Sequence, residues 1–140
     1  MKCYKMNRGG DCYEAAYRLL TSTEFMMRNP MLVHGIVGGF EFKGKFVPQH
    51  GHAWIEYSEE GMMGPNTYLQ TIAVDRSNGN DAQMPVELYY YFGCVRDDQV
   101  RKYSVEDAMK MICREQHYGP WEQELINIED KSLKETSYGE

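Results

Sequence analysis

Two stretches of the chain alternate apolar and polar residues with the two-residue period of a half-buried strand: GHAWIEY (51–57) and YLQTIAVD (68–75). Between them SEEGMMGPNT (58–67), with two glycines and a proline, reads as a turn-rich connector. An antiparallel hairpin pairs the apolar positions with Tyr57 opposite Gln70 and Ile55 opposite Ile72. The same register sets His52 directly opposite Asp75. Cβ atoms so placed are about 5 Å apart, close enough for an imidazole–carboxylate hydrogen bond. A slip of one residue would turn both side chains off this arrangement.

Before the hairpin the period is helical. Cys12, Ala15, Ala16, Leu19, Leu20 and Thr23 share one face, which predicts a helix over 11–28 that stops before Asn29-Pro30. Asp11 caps it, with Glu14 three positions on as a capping box requires. MLVHGIVGG and FEFKGKFV read as strands, with Gly44 in a turn or bulge. VELYYYFG fits either a strand or a short helix. SVEDAMKMICREQHYG opens with a Ser-x-x-Asp cap and keeps Val105, Ala108, Met109 and Ile112 on one face, so it reads as helix. A helix, an antiparallel sheet and a later helix make an α+β domain over residues 1–130, followed by a polar tail over 131–140.

At 140 residues the chain can bury a core without disulfides or metal. A net charge of −6 with scattered bases excludes the basic stripe that nucleic-acid binding needs. No apolar run approaches the ~20 residues that span a bilayer, so no membrane partner is expected. The N-terminus lacks the apolar stretch of a signal peptide. A cytoplasmic protein is the expectation, a setting that also suits a small virus-encoded factor acting inside a host. There Cys3, Cys12, Cys94 and Cys113 would be reduced thiols.

The chemistry converges on Cys12. In RGGDCYEAAYRLL a thiol stands at a helix start, where the positive end of the dipole and unpaired N–H groups favour thiolate. A nucleophilic thiol needs a base, and the base needs a third group to hold its tautomer. His52 and Asp75 supply both. GDCYEAA opening a helix, GHAWIEY opening a strand and AVDRSNG closing the next resemble, in order, the three blocks of transglutaminase-like cysteine enzymes, over residues 8 to 80. The resemblance implies a papain-like core, with the cysteine helix packed on an antiparallel sheet. It makes Cys12 the nucleophile, His52 the general base and Asp75 the orienting carboxylate.

The family's upstream oxyanion-hole tryptophan or glutamine has no counterpart. Asn7 and Tyr4 are side-chain candidates there, beside the Cys12 backbone N–H. Trp54, two residues past His52, shares its strand face and would serve as a core residue or a wall of the site. The implied activity is acyl transfer on an amide-bearing protein, peptide or small molecule, with hydrolysis the default and no cofactor.

Blander readings stand beside this one. Cys12 could instead be a small core residue, the lesser reading once the three blocks are considered together, and Asp75 could merely start the RSNGN turn. Cys3, Cys12, His34, His50 and His52 are ligand types for zinc but lack motif spacing, so no metal site is assigned. YYYF and the Met26-Met27 and Met62-Met63 pairs suit core or loop contacts, with a specificity role only if they line the groove beside Cys12. A catalytically silent binding protein on the same fold, gripping a small ligand or host protein, is the alternative from another class.

Overall fold

The computed structural model describes residues 12–22, 27–77 and 81–138, with side chains described as far as 132. In chain order the elements are α1 (Cys12–Thr21), β1 (Arg28–Val37), β2 (Phe40–Phe42), β3 (Lys45–Val47), β4 (His50–Met63), β5 (Asn66–Asp75), β6 (Ala82–Pro85), α2 (Val86–Gly93), β7 (Val100–Ser104), α3 (Val105–Glu115) and α4 (Gln123–Tyr138). The chain is a mixed α+β fold. Its main sheet is antiparallel, in the order β6-β5-β4-β1-β7, and β2 and β3 form a separate hairpin.

Strand alternation divides the core in two. Leu32, Ala53, Ile55, Ile72 and Val74 face one side and meet Cys12, Tyr13, Ala16 and Leu20 of α1 and Ala108 of α3. Val33, Trp54 and Ala73 face the other side, under Tyr89 and Tyr90 of α2. His52 has the parity of Trp54, so it lies on the α2 side; Cys12 belongs to the α1 side.

The β4–β5 hairpin forms, but in a different register and with a shorter loop. Ile55 pairs with Val74 and Tyr57 with Ile72, two residues from the expected alignment. Ser58–Met63 and Asn66–Thr67 are strand rather than connector, leaving only Gly64-Pro65 between Met63 and its partner Asn66. Gly64 has a φ of 61° and stands first in the loop, as a mirror-image two-residue turn demands. That turn sets the register. Because the shift is even, every side chain keeps its face.

Helix α1 ends at Thr21, short of the expected Arg28, and Arg28–Pro30 belong to β1. The Thr21 hydroxyl donates to the Tyr17 carbonyl at 3.1 Å and Ser22 N–H to the Leu19 carbonyl at 3.2 Å, closing the last turn. Pro30 is tolerated in the strand because the pairing shifts between Arg28 and Met31, with Asn29 at a φ of 50°. Asp11 and its cap lie outside the described residues, as do Cys3 and Met26.

VELYYYFG is helix. In α3 the Ser104 hydroxyl accepts from Asp107 N–H at 3.1 Å, the expected cap, and Ala108 and Ile112 are buried while Met109 is half exposed. α4 was not anticipated: Leu125 and Glu129 are buried, and the helix runs on through 131–138, where the sequence reads as a polar tail.

Candidate active site

The β4–β5 ladder stops at Ile55–Val74, and from there β4 pairs only with β1 while Asp75 pairs across to Ala82 of β6. The two strands part where β4 begins. This opening lets a thiol from the α1 side of the sheet meet an imidazole from the α2 side. Gly51 helps on the α1 side: a Cβ there would collide with the Tyr13 hydroxyl and stand 2.6 Å from Glu129 Oε2. The missing side chain brings the first turn of α1 down onto β4, next to His52.

The three expected residues come together. His52 Nε2 lies 2.7 Å from Asp75 Oδ2, a buried hydrogen bond, and the Cys12 thiol is close enough to the same imidazole to help raise its pKa. With the carboxylate on Nε2, the nitrogen left to the thiol is Nδ1. His52 and Asp75 are therefore diagonal neighbours across parting strands rather than directly opposed. Side-chain reach makes up the offset.

Asp75 is held from four sides. Tyr89 donates its hydroxyl to Oδ2 at 2.7 Å, while Ser77 donates its hydroxyl at 3.0 Å and its N–H at 3.4 Å to Oδ1. Burial pushes the Asp75 carboxyl up, but His52 and the Tyr89 and Ser77 hydroxyls outweigh it and hold the group below its ordinary value. For His52, burial pulls downward, and the hydrogen bonds and charges of Asp75 and Cys12 overcome this and push it up to about 10. An imidazolium–carboxylate pair is thus the resting state at neutral pH. It is enclosed: Cys12 is 2% exposed, His52 8% and Asp75 5%.

A second carboxylate network lies beside the first. Glu56, buried, accepts from Trp54 Nε1 at 2.9 Å and the Tyr90 hydroxyl at 2.6 Å, and pairs with Lys102 Nζ at 2.9 Å. Consecutive tyrosines of α2 thus each bind one buried carboxylate, and this fastens the helix over the site. Trp54 is buried, with its ring 6.1 Å from that of His52 and 5.1 Å from that of Tyr89. It is a core residue and a wall of the imidazole at once.

Tyr4 and Asn7 lie outside the described residues. Met62 and Met63 are exposed at the far tip of the β4–β5 hairpin, ten residues along β4 from His52, roughly 33 Å at strand rise, so they do not line the site. His50 shares the face of His52, with ring centroids 6.2 Å apart, whereas His34 is buried on the α1 side among Tyr13, Tyr103 and Trp121. Among the described residues no group of three His, Cys, Asp or Glu side chains is arranged to hold a metal. No helix among them is long and apolar enough to cross a membrane.

The Tyr89, Tyr90, Ser77 and Gly51 roles escaped the sequence reading. Only the GH pair at 51–52 hinted at one of them. Compared with family models, with curated proteins and with solved structures, the chain matches none.

Proposed function

We propose that this chain is a cysteine-nucleophile acyl-transfer enzyme with a papain-like, transglutaminase-like core, acting as an amide hydrolase. The observation that carries the reading is the buried His52 Nε2–Asp75 hydrogen bond with the Cys12 thiol beside the same imidazole, which leaves Nδ1 as the nitrogen for the thiol. Cys12 Sγ attacks the amide carbon while its proton resides on His52 Nδ1. The imidazolium gives that proton to the leaving amine, and a thioester remains. His52 then takes a proton from water, whose oxygen attacks the thioester carbon; release of the carboxylic acid leaves Sγ as thiolate and the proton on His52 Nδ1, the starting pair. Asp75 fixes the tautomer and stabilises the imidazolium throughout. The Cys12 backbone N–H, at the helix start, would serve as an oxyanion donor.

The test is intact-protein mass after exposure to a panel of amides and acyl traps, with the modified residue mapped. A single adduct on Cys12, absent in Cys12→Ser and His52→Ala, supports the enzyme. The 2% exposure of Cys12 favours a second reading, a catalytically silent binding protein. No adduct on Cys12 with any trap, in a folded protein, decides for that second reading.

A further inference from the structure

The β2–β3 hairpin springs from the site itself. Val37 and His50 are the last pair of the β1–β4 ladder, His50 sits beside His52, and the chain between them makes the hairpin. Its stem is fixed. Gly38 N–H donates to the Gly93 carbonyl of α2 at 2.9 Å and Gly39 N–H to the Val47 carbonyl at 2.6 Å. Gly38 has a φ of 102°, and a Cβ there would run into the Pro48 carbonyl.

Two features of this hairpin occur together. Phe42 and Phe46 are 59% and 61% exposed. Lys43 and Lys45 also have no carboxylate partner among the described residues, although every other described Arg or Lys between Cys12 and Asp130 is ion-paired. Lys45 stands directly opposite Phe42, and Lys43 Nζ lies 5.3 Å from the Phe42 ring centroid. Glu41 pairs with Phe46 and so faces the other side of the ribbon. One hairpin face thus presents an exposed ring between two free ammonium groups, on a chain of net charge −6.

We propose that this hairpin is the substrate-docking arm of the Cys12 site, and that its occupant is an acidic polypeptide segment with carboxylates flanking an apolar side chain. The inference rests on the enzyme reading above and narrows its substrate to a polypeptide. Charge complementarity selects the acidic side chains, and the exposed ring, with an ammonium beside it, selects the apolar one. Among the described residues no other strand pairs with either outer edge of the two-stranded β2–β3 sheet, so an extended peptide can add to one by main-chain hydrogen bonds.

The test uses two matched peptides, Glu-Phe-Glu-Gly and Lys-Phe-Lys-Gly, each ending in a vinyl sulfone. The Cys12 sulfur bonds the terminal vinyl carbon, and the thiol proton ends on the carbon beside the sulfone. The acidic probe should modify Cys12 about tenfold faster at low salt, with the gap closing at 1 M salt. In the double variant Lys43→Glu, Lys45→Glu the preference should vanish or reverse, while the rate with iodoacetamide, which is too small to reach the arm, stays unchanged. Equal rates for the two probes, or a preference unaltered in the double variant, overturn the docking role and leave the thiol chemistry standing. Failure of every reagent to modify Cys12 overturns both.

Discussion

The Tyr89 hydroxyl donates to Asp75 Oδ2 at 2.7 Å, the same oxygen that holds His52 Nε2. The Asp75 carboxylate is thereby tied to α2 as well as to the imidazole. Tyr89→Phe removes one hydrogen bond to a charged group and keeps the ring against Trp54. It should cost about 1.5–3 kcal/mol of stability, read by denaturant unfolding. Modification of Cys12 by acyl traps should slow in the same variant. An unchanged unfolding midpoint would mean the hydroxyl contributes nothing.

Asp75→Asn removes the charge that holds His52 as imidazolium. Turnover should fall steeply; the equivalent change in a serine triad costs about 10⁴-fold. The His52 ring, pushed up to about 10 in the native protein, should titrate well below that in the variant, as followed by imidazole NMR shifts. A titration that does not move would assign the raised value to some other group.

Stability should peak near pH 6.5. His52 is raised from 6.5 to about 10, so its contribution is fully present below 6.5 and is lost as pH climbs through 10. His34, buried and beside His117, is lowered from 6.5 to about 3. The unfolded chain therefore binds a proton between 6.5 and 3 that the native chain does not, and stability falls with acid. Asp75, held low, adds to the acid loss below the ordinary carboxylate range. Melting temperatures from pH 3 to 10 check this. His34→Phe should flatten the upper part of the acid limb and His52→Gln the alkaline limb.

Gly51→Ala puts a methyl group where the Tyr13 hydroxyl and Glu129 Oε2 now sit. Overpacking of this kind costs about 1–3 kcal/mol. Because it lifts the start of α1 from β4, Cys12 should react with acyl traps more slowly as well. Gly44→Ala, at an exposed turn with a φ of 80° and open space around it, should carry a backbone cost of about 1 kcal/mol and leave that reaction alone.

Much of the site was legible in the sequence because it depends on parity rather than on register. Two alternating segments fix which residues share a face, and an error of two places at Ile55 and Tyr57 leaves His52 and Asp75 on one side. The register itself depends on one two-residue turn, Gly64-Pro65, inside a longer stretch rich in turn formers. The Ser104 cap was readable for a local reason, since donor and acceptor lie three residues apart. Tyr89 and Tyr90 were not, because their carboxylates lie 14 and 34 positions back in the chain. Helix α4 was hidden by its polarity: among its described side chains only Leu125 and Glu129 are buried, and one of the two is a carboxylate.

The strand order has a consequence for the nascent chain. β1 lies between β4 and β7, and its pairing with β7 joins Met31–Gly35 to Val100–Ser104, about seventy positions later. The three strands from β4 to β6 can zip up in sequence order as synthesis proceeds, and with β1 they bring Cys12, His52, Asp75 and Tyr89 together before β7 exists. At ~5–20 residues per second, the outer edge of β1 then waits about 0.5–2 s beyond the completion of α2 before its partner is made. During that interval the uncharged run Met31–Val37 is an open β-edge, the kind of surface that pairs with other chains. Purified chains truncated after residue 95 should accordingly aggregate or recruit chaperones more readily than chains truncated after residue 115.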